Sequence, residues 1–357
     1  MNTDNKDAIV LLAKQPGLTS FSSLRNVKKA MNTNKVGHTG TLDSFAEGLL
    51  VVCTGHYTKL CGQITAFDKT YKAVLHFGKE TDTCEYTGNI IREAGFPTEK
   101  AFRMAVEKWT GDIMQKPPLF SAIHVDGKRA SDLVREGKDF DIPARPVKVF
   151  SAEIQEIKYV ESSREINSKD RLVEYALIEF SVSKGTYIRS LARDIAESCG
   201  SAAYLTGLFR TKVGNFLVED AAGFGLLPEF NIQNACKREA EYKVKKKSLE
   251  TTEKKINSEE DLKIQKEILE KNQDVTSEIA ELCGFETIFV KNALCMEAFK
   301  YGKPLKSSMF HKSLWDYPND CSIAVFKKDD FFDEEVSFLG LINKDAAGKV
   351  SYGFVIG

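Results

Sequence analysis

An α+β fold with a β-rich tail is what the sequence predicts. Three observations carry the prediction. Apolar runs of strand length (residues 9–12, 49–53 and 68–78) recur between runs of helical period (20–31, 98–109 and 188–199). Two β-branched stretches, 147–159 and 172–182, are joined by a polar connection at 162–170, the pattern of paired strands. From residue 286 onward the pattern is again strand-like, with short apolar runs at 322–326 and 337–342 and a Gly348 turn before a last one.

The elements follow in order. Residues 9–12 suit a first strand, and Lys14-Gln15-Pro16-Gly17 reads as a turn. Ser20 or Ser22 caps a helix whose apolar face is Phe21, Leu24, Val27 and Met31, with Arg25, Lys28 and Lys29 on its polar side. Gly37-His38-Thr39-Gly40-Thr41-Leu42-Asp43 is a tight loop before the buried strand 49–53. Read alone, an Asp closing such a loop is a turn or cap residue. A helix to Ala66 and the alternating strand 68–78 follow. Residues 98–109 form a helix with Phe102, Val106 and Trp109 on one face and Gly111 as its stop. Ile188, Leu191, Ile195 and Cys199 line one face of a later helix that ends at Gly200.

Composition bounds the function. The 357 residues, 42% of them apolar, have room for two domains of about 150 residues. No apolar run approaches the roughly 18 residues of a membrane span, and the polar start, Met1 to Asp7, is neither a secretory signal nor a transit peptide. A cytoplasmic protein is expected. Its eight cysteines form no Cys-x-x-Cys pair and read as reduced, buried thiols, so no metal site is expected. The formal net charge is −1, so a nucleic-acid partner requires locally concentrated positive charge. Residues 229–274 hold 11 cations and 11 acids with little apolar periodicity. They read as a charged linker or solvated helix, and residues 238–272 within them as dispensable for chemistry.

Longer strings carry a resemblance. Lys35-Val36-Gly37-His38-Thr39-Gly40-Thr41-Leu42-Asp43, with Ala46, Gly48 and Leu49, is similar to the catalytic loop of the TruB family of pseudouridine synthases. Lys69-Thr70-Tyr71 resembles the family's second motif, and Ser183-Lys184-Gly185-Thr186-Tyr187-Ile188-Arg189 its third. Thr81-Asp82-Thr83-Cys84-Glu85 matches a run that usually ends in Asp. Gln115 to His124 matches another, with Phe120 for Tyr and His124 for Lys. In Leu208-Phe209-Arg210 a Phe replaces the first Arg of the usual Leu-Arg-Arg. The Gln15-Pro16 order is exchanged relative to the family's, and the resemblance implies that this loop packs beneath the catalytic loop. Residues 127–138, with Lys128, Arg129, Arg135 and Lys138, correspond to a segment that closes over RNA. Residues 296–305 resemble a stretch of the PUA-type RNA-binding domain.

The resemblance implies a pseudouridine synthase catalytic domain at 1–228, built on a mixed, mainly antiparallel sheet with flanking helices. A charged linker or helix follows at 229–285, then a small β-rich PUA-like domain at 286–357. It implies isomerisation of a T-loop uridine of tRNA, with Asp43 as nucleophile, Arg189 as the partner of its carboxylate, and Tyr71 stacking on the base and assisting proton removal. Tyr187 packs on the base from the other side, Leu208 touches the nucleotide, and His38 fills the vacated space or stacks on a neighbouring base. No cofactor, no metal and no obligate protein partner are expected, and the T-stem loop is bound by a monomer. Two rivals are a non-catalytic RNA-binding module of the same fold and a same-fold synthase acting on another RNA. The filled roles at Asp43, Tyr71 and Arg189 weigh against the first, and the lack of basic tails weighs against the second.

Overall fold

The computed structural model describes residues 6–121, 123–125, 127–138, 140–163, 171–247, 258–328 and 336–356. In chain order, β1 (Ile9–Lys14) and α1 (Ser20–Ala30) lead to β2 (Val36–His38) and β3 (Glu47–Thr54). A short α2 (Cys61–Thr65) precedes β4 (Lys69–Phe77) and the hairpin of β5 (Lys79–Thr81) and β6 (Ile90–Glu93). Next come α3 (Glu99–Lys108), β7 (Gly111–Gln115), a small hairpin of β8 (His124–Val125) and β9 (Lys128–Arg129), and α4 (Ala130–Arg135). The long strands β10 (Arg145–Tyr159) and β11 (Val173–Val182) are followed by α5 (Ile188–Ser198), β12 (Ala203–Val213) and β13 (Phe216–Leu217). Three helices, α6 (Ile232–Lys247), α7 (Ser258–Lys271) and α8 (Ser277–Leu282), lead to β14 (Glu286–Phe289) and α9 (Ala293–Lys300). The strands β15 (Cys321–Lys328), β16 (Val336–Lys344) and β17 (Val350–Val355) end the chain.

Among the described residues the main sheet has nine strands, with the path β1-β3-β12-β4-β11-β10-β7 and with β2 and β13 on its margins. Its pairings are antiparallel except where β12 runs parallel to β3. The second sheet, β14-β15-β16-β17, has four strands. The α+β expectation of a mixed, mainly antiparallel sheet with a small β-rich C-terminal unit agrees with this topology. Among the described residues no helix is long and apolar enough to cross a membrane.

Packing follows from strand alternation. On β1 and β3, Ile9, Leu11, Leu49 and Val51 face one way, while Val10, Leu12, Leu50 and Val52 face the other. Both faces are covered, which explains the unbroken apolar run at 49–53. The first face meets the small sheet through Phe326, Phe338 and Leu341, and Tyr57 packs edge-on against Phe338 at 5.8 Å. The second meets α1 through Leu24 and Val27. Further along, α3 and α5 cover one face of β4 and β11 with Phe102, Val106, Leu191 and Ile195. Helix α6 covers the other with Ile232 and Ala235.

Three expectations change. The cap of α1 is Thr19, whose Oγ1 accepts from the Ser22 amide at 3.0 Å, rather than Ser20 or Ser22. Phe21 points outward and is 72% exposed; Ser20 takes the inward position at that turn. Within 229–285 the helix alternative holds in α6, α7 and α8, but these helices are docked against the sheets and α1 rather than solvated. Ile264 and Ile268 of α7 enter the core with Leu24 and Val27, and Asp261 accepts from Arg25 at 2.6 Å and Asn26 at 2.7 Å. Glu239 of α6 is buried, where it accepts from Tyr204 at 2.6 Å and Thr206 at 3.2 Å. Burial alone would raise its carboxyl, but nearby His76 and hydrogen bonds from Lys243 and Tyr204 favour the charged form and bring it down to about 2. Most of the expected polar connection at 162–170, and 248–257 within the charged stretch, lie outside the described residues, as does the side chain of His124.

The docked α7 therefore contributes to stability. Ile268 has no exposed surface, and Ile268→Ala should destabilise the protein by about 2–5 kcal/mol in urea unfolding, the range for truncating a buried Ile. A loss under about 1 kcal/mol would mean that α7 is not part of the core.

Candidate active site

The loop 39–46 is anchored at both ends. Strand β2 pairs with β3, His38 opposite Val52, and the Thr39 amide donates to the Val51 carbonyl at 3.0 Å. Its far end turns through the Ala46 amide, which donates to the Asp43 carbonyl at 3.1 Å. Three buried side chains brace it from below. Ser20 Oγ donates to the Leu42 carbonyl at 2.9 Å and accepts from the Leu42 amide at 2.8 Å. Lys14, buried at the end of β1, donates to the Ala46 carbonyl at 2.5 Å. Arg210 of β12 donates through Nε to the Leu49 carbonyl at 2.7 Å and through Nη2 to the Gly40 carbonyl at 3.2 Å. The parallel step between β12 and β3 brings the two backbones so close that a Cβ on Gly48 would lie 2.3 Å from the Arg210 carbonyl oxygen. With φ at +107°, position 48 accepts only glycine without a backbone shift.

Arg189 arrives from the first turn of α5. The start of that helix is held by Gln115, whose Oε1 accepts from the Tyr187 amide at 2.8 Å and whose Nε2 donates to the Tyr187 carbonyl at 3.1 Å. The Arg189 guanidinium is buried and grips Asp43 through two bonds, Nε to Oδ2 at 2.9 Å and Nη2 to Oδ1 at 3.0 Å. Its remaining donors reach the carbonyls of Thr83 and Phe120, both at 3.0 Å. With four acceptors in fixed places the guanidinium plane has one orientation, and it sets that of the carboxylate. The Asp43 side chain stays 36% exposed, so a reactant can reach it.

Around this pair the structure gathers the other expected residues. Tyr71 lies at the centre of the sheet, between Phe180 on β11 and Arg210 on β12, and shares a cluster with Leu42, Phe45 and Leu208. Tyr187 is half-buried. Burial raises its hydroxyl, and the charges of Arg189 and Asp43 act on it in opposite senses, a mark of their proximity. His38 stands at the end of β2, half-buried, with no hydrogen-bond partner for Nδ1 among the described residues. Burial, and then the Arg210 charge, lower its proton affinity.

The sequence left the role of Glu85 open. Its side chain is buried, accepts from the Thr87 hydroxyl, and keeps one oxygen without a hydrogen bond among the described residues. Burial, reinforced by the Asp43 charge and opposed by Thr87 and Arg189, pushes it up to about 7. Gln115 and Arg210 were visible as motif letters, but their work on backbone atoms was not. A buried Arg or Gln has no periodicity to betray it.

Glu85 makes stability depend on pH in a definite direction. Its folded value near 7 lies above the 4.5 of a free Glu, so the folded protein holds this proton more tightly than the unfolded chain. The advantage is complete below about 4.5 and is lost as pH rises through about 7. Glu85→Gln should therefore gain stability relative to the parent between pH 5 and pH 8, read by urea unfolding. A constant difference across that window would show that Glu85 ionises normally.

Comparison with known proteins bears on the family and the fold. The model of the TruB family pseudouridylate synthase N-terminal domain matches residues 28–188. A tRNA pseudouridine synthase B from Treponema denticola is 48% identical over 234 residues, which are 64% of this chain and 65% of that protein. One from Borreliella burgdorferi is 44% identical over 217 residues, 60% of this chain and 73% of that protein. Among solved structures, a Cbf5-Nop10-Gar1 complex aligns with 98% of this chain and 84% of its own at a TM-score of 0.58 and 21% identity. An H/ACA RNP bound to a substrate RNA containing 2'-deoxyuridine aligns with 95% of this chain and 78% of its own, also at 0.58, with 19% identity. These two likenesses speak to the fold, over nearly the whole chain. With a carboxylate gripped in the family's loop and relatives at this level of identity, the chain belongs to the TruB family of pseudouridylate synthases.

Proposed function

We infer that this protein isomerises uridine to pseudouridine in tRNA, at the T-loop uridine of position 55, with Asp43 as nucleophile. The observation that carries the reading is the Arg189–Asp43 pair, a carboxylate oriented by two hydrogen bonds yet open on its remaining side. The name shared by the relatives, tRNA pseudouridine synthase B, supports tRNA as the RNA.

The isomerisation breaks the N1–C1′ bond, rotates the base and joins C5 to C1′. The proton on C5 leaves and N1 gains one, so no oxidant and no water are consumed. A carboxylate oxygen of Asp43 adds to the ring or to C1′, and that bond breaks again before the product leaves, once C5 is joined to C1′ or as it joins. Arg189 keeps that carboxylate aimed. Tyr71, with Tyr187 across from it, holds the detached base flat, and the Tyr71 hydroxyl assists removal of the C5 proton. The base leaves its stack to reach Asp43, and His38 and Leu208 contact the nucleotides around it. On the same reading the protein acts in the cytoplasm, as a monomer without an obligate protein partner, and residues 286–357 form a PUA-like domain that adds RNA affinity.

Asp43→Asn tests the reading against a binding-only module. The amide is nearly isosteric, so affinity for a T-stem-loop RNA should hold within about tenfold, roughly 1.4 kcal/mol. Pseudouridine formation should fall below detection in a single-turnover assay, with thermal unfolding measured on the same sample. A folded variant working at the parent rate would remove Asp43 as nucleophile. Tyr71→Phe separates stacking from proton transfer. Stacking of about 1–3 kcal/mol stays with the ring, so binding should persist while the single-turnover rate drops about a hundredfold or more. An unchanged rate would leave Tyr71 a packing role only.

A further inference from the structure

Helix α6 lies outside the stretch that the family model matches, 28–188, yet it touches the end of the Asp43 loop directly at one point and backs it through Tyr86 at another. Arg238 Nη2 lies 2.6 Å from Glu47 Oε1. Glu47 opens β3, four residues after Asp43, and is 1% exposed. One turn further along α6, Tyr242 meets Tyr86 edge-on at 5.4 Å, and Tyr86 meets Phe45 edge-on at 5.8 Å. Both residues that flank Ala46 thus have α6 behind them.

The Arg238 side chain is itself held in place. Its guanidinium lies 6.0 Å from the centre of the Phe230 ring, and Phe230 stacks on Phe209 at 5.3 Å. Phe209 is the register partner of Glu47 across the parallel β12–β3 step. The neighbouring strand therefore presents an aromatic face beside the buried carboxylate, and α6 brings a cation to it. Removing the cation 2.6 Å from a buried acid leaves less to offset that acid's desolvation, which favours movement toward water or uptake of a proton. Either response displaces the end of the loop that carries Asp43.

We propose that Arg238 is a positioning residue for uridine isomerisation, holding the 43–47 loop through Glu47 so that Asp43 stays in the plane set by Arg189. The inference rests on the reading of Asp43 as nucleophile. Displacements of about an ångström remote from the reacting atoms can cost on the order of a hundredfold in rate, and here the displaced segment carries the nucleophile itself.

The test uses the full chain and a T-stem-loop RNA. Arg238→Met keeps the packing over Phe230 and removes the charge. It should slow single-turnover pseudouridine formation at saturating enzyme by roughly ten- to a hundredfold, with RNA affinity within about threefold of the parent. Arg238→Lys should recover most of the rate. In hydrogen exchange the amides of 44–48 should open faster in Arg238→Met, a readout independent of any catalytic assumption. The double variant Glu47→Gln with Arg238→Met removes the acid's charge as well; it should regain thermal stability and part of the lost rate. An Arg238→Met variant at the parent rate, or with parent exchange at 44–48, would overturn the proposal. Asp43→Asn in the same series separates the two ideas. If it is inactive while Arg238→Met is not slowed, only the role of Arg238 falls; if it works at the parent rate, the reading of the site falls first.

Discussion

A guanidinium with nowhere else to go organises this molecule. Arg189 is buried, so its N–H groups need acceptors, and four are found among the described residues. Two are the oxygens of Asp43, and two more are backbone carbonyls from separate segments, at Thr83 and Phe120. The requirement ties the first turn of α5, the turn after β5, the stretch before β8 and the catalytic loop to one plane. Asp43 remains about a third exposed, so water screens part of the attraction. The value of the pair lies in direction more than in stability.

The loop is braced by side chains that spend their polarity on its backbone. Ser20, Lys14 and Arg210 together hold carbonyls or amides at 40, 42, 46 and 49. A loop so held loses the freedom that would blur the position of Asp43, which is the condition for preorganised chemistry. The glycine at 48 belongs to the same design, since it lets β12 approach closely enough for Arg210 to reach under the loop. Charge follows as a consequence. Lys14, Lys69, Arg189 and Arg210 are all buried, and burial, with Arg210 next, brings Lys69 down to about 8.

The segments after the main sheet complete the site from behind. Helix α6 carries few apolar residues, but its buried Glu239 and the Arg238–Glu47 pair fasten it to the sheet through polar contacts. Helix α7 does so through Ile264, Ile268 and Asp261. The small C-terminal sheet shares a hydrophobic cluster with β1 and β3, so the parts that composition divides are joined in one packed body.

Much was legible from the sequence because much is local. Strand and helix periods, the turn glycines and the strings around Asp43, Tyr71 and Arg189 depend on near neighbours in the chain, and the structure has them where they were read. The remainder depended on partners far along it. Arg189 and Asp43 are 146 positions apart, and only the sheet order, with β12 inserted between β3 and β4, brings the two ends of the site together. Periodicity reports that a face is apolar; it does not report which face will cover it. That is why Phe21 was read as inward and α7 as a solvated spacer. The proton affinity of Glu85 was illegible for the same reason, since it is set largely by desolvation and by the charges of Asp43 and Arg189 from two other segments. The sequence by itself determined the local elements and the chemical groups available to the site, because short-range sterics and alternation decide them. Only the tertiary structure decided which of those groups face each other and how dry the space between them is, because burial and distance are properties of the assembled fold.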